Sequence, residues 1–404
     1  MNRISYRLKD PFAVALWLNG AMIICTISLF GVPVLAPAIA DDLGVSTTLV
    51  GPYIALTWTA SVLTSVLAGA LLRRFGAMGV TQLCLLLCAA GMLFGSTGLV
   101  VMLFVAAIAV GLAFGVETPS SSYLLARITP AKQQPFIFSF KQTGAQLGGI
   151  LSGILYPFLL PLVGWRGAMG CVAVVLLVFA FALQRPRAKF DSLYPPRDSS
   201  NSATFAETVS LIWRSWPMMR AALASFGFLA IQICFNSFLV SFLVKERGES
   251  LAAAGVFLAV AQAGGLLGRL LWGVVSGRLM SAAALLAAIG AAMTVCGVLL
   301  GLSGTEMGPL MLGLLCFVFG LTASGWNGVF LAEVASLCPP DAVGRIIGVV
   351  FLPGTAGLIA GPVIYGIVAA TWGFGNAYVL MAVFSLAGTL CLLSRNGGRR
   401  VRSI

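Results

Sequence analysis

Apolar runs of roughly 20 residues, separated by short polar or glycine-rich breaks, fill almost the whole chain, and each is long enough to cross a bilayer as a helix. The pattern predicts about twelve spans, near 13–39, 50–72, 78–98, 99–125, 136–160, 165–184, 219–243, 251–275, 280–302, 308–335, 344–370 and 374–393. One long hydrophilic stretch, from about Gln184 to Arg220, interrupts the series. The expected organisation is therefore an all-α membrane protein: a six-helix bundle over 1–184, a linker over 185–218, and a second six-helix bundle over 219–404 that ends in a basic tail. Pro186, Pro195, Pro196 and a Ser/Asn run predict a partly mobile linker, with a short amphipathic helix around Phe205–Trp213.

The two bundles repeat one another. At an offset of about 204 residues, Gly44, Gly51, Gly69 and Arg74 fall on Gly248, Gly255, Gly273 and Arg278. Later the offset drifts to about 209, pairing Gly111 with Gly320 and Pro130 with Pro339, and then to about 210, pairing Gly144 with Gly354. Two six-helix repeats in the same orientation imply a pseudo-twofold axis along the membrane normal, a solute site near the midplane, and alternating access by rocking of the halves.

Composition agrees: 404 residues with 59% hydrophobic, 9% charged and a mean hydropathy of +1.02 leave lipid as the solvent for most of the surface. The net charge of +12 is accounted for by topology. About 19 of the 24 basic residues fall before the first span or in alternate loops and the tail, including Arg3, Arg7, Lys9, Arg73, Arg74, Arg127, Lys132, Arg278 and Arg345. The positive-inside rule then puts both termini in the cytoplasm of a cell whose inner membrane the chain spans several times. Basic residues, an apolar run and Ala38-Ile39-Ala40 imitate a secretory leader at the start. The run is nearly twice a leader's apolar core, and the repeat needs it as the partner of the seventh span, so it is expected to stay as the first helix.

Histidine is absent, which excludes a Ser-His-Asp hydrolase, a His-ligated zinc site and a His proton relay. The nine cysteines sit mostly inside apolar runs without CxxC spacing and read as small packing residues. There is no Walker motif. The chain is expected to be no enzyme, to use no cofactor or metal, to bind no nucleic acid, and to work in the bilayer as a monomer.

The loop after the second span reads Gly69-Ala70-Leu71-Leu72-Arg73-Arg74-Phe75-Gly76, and the eighth span runs Gly268-Arg269-Leu270-Leu271-Trp272-Gly273 into Arg278. These segments are similar to the Gly-x-Leu-x-Asp-Arg-x-Gly signature of the major facilitator superfamily, which the chain resembles over essentially its whole length. The resemblance implies a transporter of the two-bundle fold, with Gly69, Arg73, Arg74, Gly76, Gly273, Arg278 and Arg345 in the gating loops. Both copies depart from the signature at its acid, which is Arg73 in one and Gly277 in the other. In the family that acid helps latch the cytoplasmic side, and Glu333, near the end of the tenth span, is a candidate substitute.

Charge inside an apolar span costs about 2.5–3.5 kcal/mol even on lenient scales, so the few such residues need partners or a cavity. They are Glu117, Lys141 and Arg269. Glu117 and Lys141 lie about 20 Å and 17 Å from the turn near Pro130, at one depth, and two readings stand. They form a structural ion pair, or Lys141 receives a substrate anion while Glu117 takes a proton and couples the two. Arg269 has no evident acid in its half, and Gln262 lies seven residues earlier on the same face.

A guanidinium suits a carboxylate, and an arginine there resembles the carboxylate-binding arginine of the oxalate/formate and monocarboxylate transporter branches; its alternative is a bond to helix-end carbonyls. Asn19, Tyr53, Gln142, Asn236, Trp326 and Asn327 complete the candidate substrate-binding set, and Glu117 is the proton-coupling candidate. The leading reading is a secondary transporter of a small organic anion, by proton symport or exchange against a counter-anion. The rival is a proton-coupled exporter of drugs or hydrophobic compounds on the same fold.

Overall fold

The computed structural model describes residues 11–130, 132–184, 187, 190–191, 215–276, 278–337 and 343–394. It is built of helices, with no sheet among the described residues. In chain order they are α1 (Pro11–Leu43), α2 (Val50–Phe75), α3 (Ala77–Ser96) and α4 (Val100–Ile128), followed by one unbroken stretch over Gln134–Ala182. That stretch turns over at Gly164, whose φ of 68° and ψ of 173° no helix contains, so it makes two spans, α5 (134–163) and α6 (165–182). Then come α7 (Trp216–Lys245), α8 (Leu251–Val275), α9 (Ala282–Gly301), α10 (Pro309–Ser336), α11 (Val343–Val350 and Leu352–Trp372) and α12 (Phe374–Leu393). Eleven described stretches are long and apolar enough to cross a membrane, and the turn at Gly164 divides one of them, which gives the twelve expected spans.

Two helices differ from the expectation of unbroken spans. α10 is interrupted between Ala323 and Asn327, and α11 at Phe351. The α11 break precedes Pro353, which has no N–H to continue the helical ladder. The α10 break lies at a close approach to α8: a Cβ on Gly325 would overlap the Trp272 ring and the backbone of Gly268. The amphipathic helix expected near 205–213, the basic tail, Arg3, Arg7 and Lys9 lie outside the described residues, as does the side chain of Arg345.

By its contacts the chain divides into two compact units, one of residues 1–32 and 56–198, the other of 33–55 and 199–404. In the first, α3 packs on α4 and on the α5–α6 stretch. In the second, α7 packs on α11 and α12, α9 on α12, and α8 on α10. Small residues permit the closest approaches, as packing without a hydrophobic driving force requires. A Cβ at Gly111 would overlap Thr57 O of α2, and one at its repeat partner Gly320 would overlap Ala261 O of α8. Likewise Gly144 and Gly148 lie on the Asn19 and Ile23 carbonyls of α1, and Gly357 lies on Phe226 O of α7. The repeat extends to the backbone: Gly373, at the α11–α12 turn, has φ 89°, ψ 160°, matching Gly164.

Candidate functional site

The first unit encloses a charged pair. Lys141 of α5 and Glu117 of α4 are both about 2% exposed, with Nζ 2.7 Å from Oε2. Thr118 Oγ1 donates to the same oxygen at 3.1 Å, whereas Glu117 Oε1 is buried with no hydrogen-bond partner among the described residues. Asn19 braces this arrangement from α1, its amide donating to Phe140 O (2.6 Å), Lys141 O (3.3 Å) and Thr143 Oγ1 (3.1 Å). Asn19 therefore holds the turn of backbone that carries Lys141. Gln142, beside it, is half-buried.

In the second unit, the polar side chains of α7, α8 and α10 meet in cross-helix bonds. Gln262 of α8, 2% exposed, donates from Nε2 to Asn236 Oδ1 of α7 at 3.0 Å. Trp326, in the α10 break, is wholly buried and donates from Nε1 to Gln232 Oε1 of α7 at 3.0 Å. Its ring sits edge-on to Phe228 and Phe330 at 5.3 Å each, and parallel-displaced to Phe351 at 6.3 Å. Arg269 of α8 donates from Nε to Ser324 O at 3.2 Å, a carbonyl freed by the break, and forms no ion pair with a described residue. Trp272, one turn on, donates to Leu321 O at 2.9 Å. Asn327 opens the second segment of α10, half-buried, while Tyr53 lies buried on the part of α2 that belongs to this unit.

Sequence reasoning singled out neither Gln232 nor a second residue, Asp191. Gly76, with φ 72°, turns the chain sharply into α3. Asp191, from the region expected to be linker, then accepts the first free N–H groups of that helix, Met78 to Oδ1 and Gly79 to Oδ2, each at 2.9 Å. Burial pushes its carboxyl up, against the pull of those N–H groups and of Arg187. Arg187 also donates to Gln82 Oε1 at 2.6 Å. A carboxylate thus lies at the start of α3, next in the chain to the segment whose signature acid is absent. Glu333, in the second segment of α10, is half-buried and lies near Arg220 of α7. Gly69, Arg73, Arg74, Gly273 and Arg278 are exposed, with the Arg74 guanidinium 5.3 Å from the Phe75 ring.

Also in the second unit, the C-terminal ends of α1 and α7 are joined by Lys245 Nζ to Asp41 Oδ1 at 2.7 Å, residues 204 apart in the chain. Glu246, next to Lys245, accepts the N–H groups of Phe374 and Gly375 at the start of α12.

A family model described as Major Facilitator Superfamily matches residues 16–352. Among curated relatives, a putative metabolite transport protein of Haemophilus influenzae is 26% identical over 88% of both chains. The hexuronate transporter of Bacillus subtilis is 24% identical over 95% of this chain and 94% of its own length. The probable galactarate/D-glucarate transporter of Escherichia coli is 24% identical over 88% and 86%. Among solved structures, a bacterial homologue of the human lysosomal transporter Spinster superposes with a TM-score of 0.75 at 15% identity, covering 95% of this chain and 97% of that one.

Proposed function

The chain belongs to the Major Facilitator Superfamily, and from that premise we propose that this multi-pass membrane transporter carries a small organic anion bearing a carboxylate. The observation that carries the reading is Arg269. A guanidinium within the apolar span of α8 meets only a neutral carbonyl among the described residues, a positive charge left without an acid where charge is costly. A carboxylate would supply two acceptors to the fork and neutralise it. Sugar-acid transport by the relatives from B. subtilis and E. coli supports the same class of solute.

In this reading residues 1–184 and 219–404 are the two rocking halves and 185–218 their linker. Both termini lie in the cytoplasm, the membrane is the inner membrane, and the transporter works as a monomer. Asn236, Gln262, Gln142 and Asn327 contribute to the substrate site, Asn19 acts through the backbone of Lys141, and the signature residues with Glu333 gate access. Glu117 is the coupling carboxylate. Its orphaned Oε1 is the oxygen able to take a proton when an arriving anion competes for Lys141. Proton symport should then give way, in Glu117→Gln, to pH-independent exchange of one anion for another. Uptake by reconstituted Glu117→Gln that still acidifies the vesicle interior would rule this coupling out.

The solute class is tested by thermal stabilisation of the purified protein with hexuronates, aldarates, monocarboxylates, sugars and cationic drugs. Carboxylates should stabilise the wild type and lose their effect in Arg269→Ala. Stabilisation by drugs alone, indifferent to Arg269→Ala, would instead identify the exporter.

A further inference from the structure

α7 is buried on every side between Gly227 and Leu243 except at two positions, Gln232 and Asn236, both half-buried amides one turn apart. An amide with free N–H groups facing hydrocarbon is costly, so this narrow accessible line faces water or a ligand. Its orientation at Gln232 is fixed chemically. An indole N–H only donates, so Gln232 must present Oε1 to Trp326 and turn its NH2 elsewhere. Trp326 cannot itself reach a ligand: it is 0% exposed and enclosed by Phe228, Phe330 and Phe351.

The depths match an elongated ligand. Consecutive helices α7 and α8 run antiparallel, and Asn236 meets Gln262. From that level Gln232 lies about 6 Å back along α7, and Arg269 about 10 Å forward along α8, in the same direction. The order is Arg269, then Gln232, then the Asn236–Gln262 pair, a row of donors comparable in length with an extended six-carbon acid.

We propose that Gln232 is a specificity-determining residue that donates to a hydroxyl oxygen of a polyhydroxylated acid whose carboxylate lies on Arg269, and that Trp326 is the positioning residue that aims it. This rests on the anion reading above and narrows it to hydroxylated acids.

The test uses the full-length purified protein and a matched pair of probes, galactarate and adipate, which are six-carbon diacids with and without hydroxyls. Apparent Kd values come from stabilisation titrations. Gln232→Leu should weaken galactarate about five- to tenfold, as for one lost hydrogen bond, while leaving adipate within about twofold. Trp326→Phe keeps a ring in the aromatic cluster but frees the amide, and should reproduce that selective loss. Gln232→Leu with Trp326→Phe should be no worse than Gln232→Leu alone, because the indole acts only through Gln232. Equal weakening of both acids by Gln232→Leu, or no change in either, overturns the proposal, and so does an additive double variant. If Trp326→Phe does not fold, Gln232→Leu still decides the role of Gln232. Arg269→Ala separates the two levels: loss of both acids there with no selectivity in Gln232→Leu sinks only this proposal. A wild type stabilised by neither acid overturns this proposal, while stabilisation by other carboxylates that Arg269→Ala abolishes leaves the anion reading standing.

Discussion

The same two places in the repeat are filled by opposite chemistry. At offsets of about 209 and 210, Glu117 and Lys141 of the first half correspond to Trp326 and Phe351 of the second. One couple is an ion pair with Nζ–Oε2 of 2.7 Å, the other a pair of rings 6.3 Å apart. Either solution joins the helix 4 position to the helix 5 position within its half. The difference lies in what is left over. The first half pairs Lys141 with Glu117, whereas the second, apolar at that junction, gives Arg269 only a carbonyl among the described residues. A repeated scaffold can thus keep its packing while the charges it carries differ between the copies.

The comparison can be broken most severely at the ion pair. Lys141→Met should cost about 3–5 kcal/mol by stranding a buried carboxylate, and Glu117→Gln with Lys141→Met should recover most of it, both read as shifts in unfolding temperature. If the double variant is as unstable as the single one, the pair is not the junction's analogue of Trp326 and Phe351. Arg269→Ala should weaken a bound carboxylate by about 1.5–3 kcal/mol, roughly ten- to a hundredfold, while unfolding temperature without ligand stays level or rises. Gly111→Ala and Gly320→Ala should each destabilise by about 1–3 kcal/mol, and by similar amounts, since each Cβ meets a carbonyl of the neighbouring helix. A large inequality between them would show that the α2–α4 and α8–α10 contacts are not equivalent. The smallest effect is expected at Asp41→Asn, at most about 1 kcal/mol and diminished by salt, because this pair is exposed.

Much of this was legible in the chain. Apolar run lengths located the spans, paired glycines exposed the repeat, and counting residues from Pro130 put Glu117 and Lys141 at one depth, where they bond. Arg269 was legible as a cation without an acid in its own half; that its partner is Ser324 O was open, since helix-end carbonyls are created only by the break in α10. The break itself was hidden, because it lies at a contact between Gly325 and α8 that one apolar run does not show. Gln232 passed unnoticed for a related reason: a lone amide in an apolar run does not reveal which side of its helix stays uncovered. Asp191 escaped because a carboxylate in a proline-rich polar stretch looks like solvated linker until the chain folds it onto the start of α3.

The bond between Asp41 and Lys245 joins equivalent positions of the repeat. Its partners stand 204 residues apart, the offset that aligns this part of the halves. Two copies of one repeat meeting here would set aspartate against aspartate or lysine against lysine. Opposite charges at this self-matching position need two different sequences, so the pair marks a place where the repeats are not interchangeable.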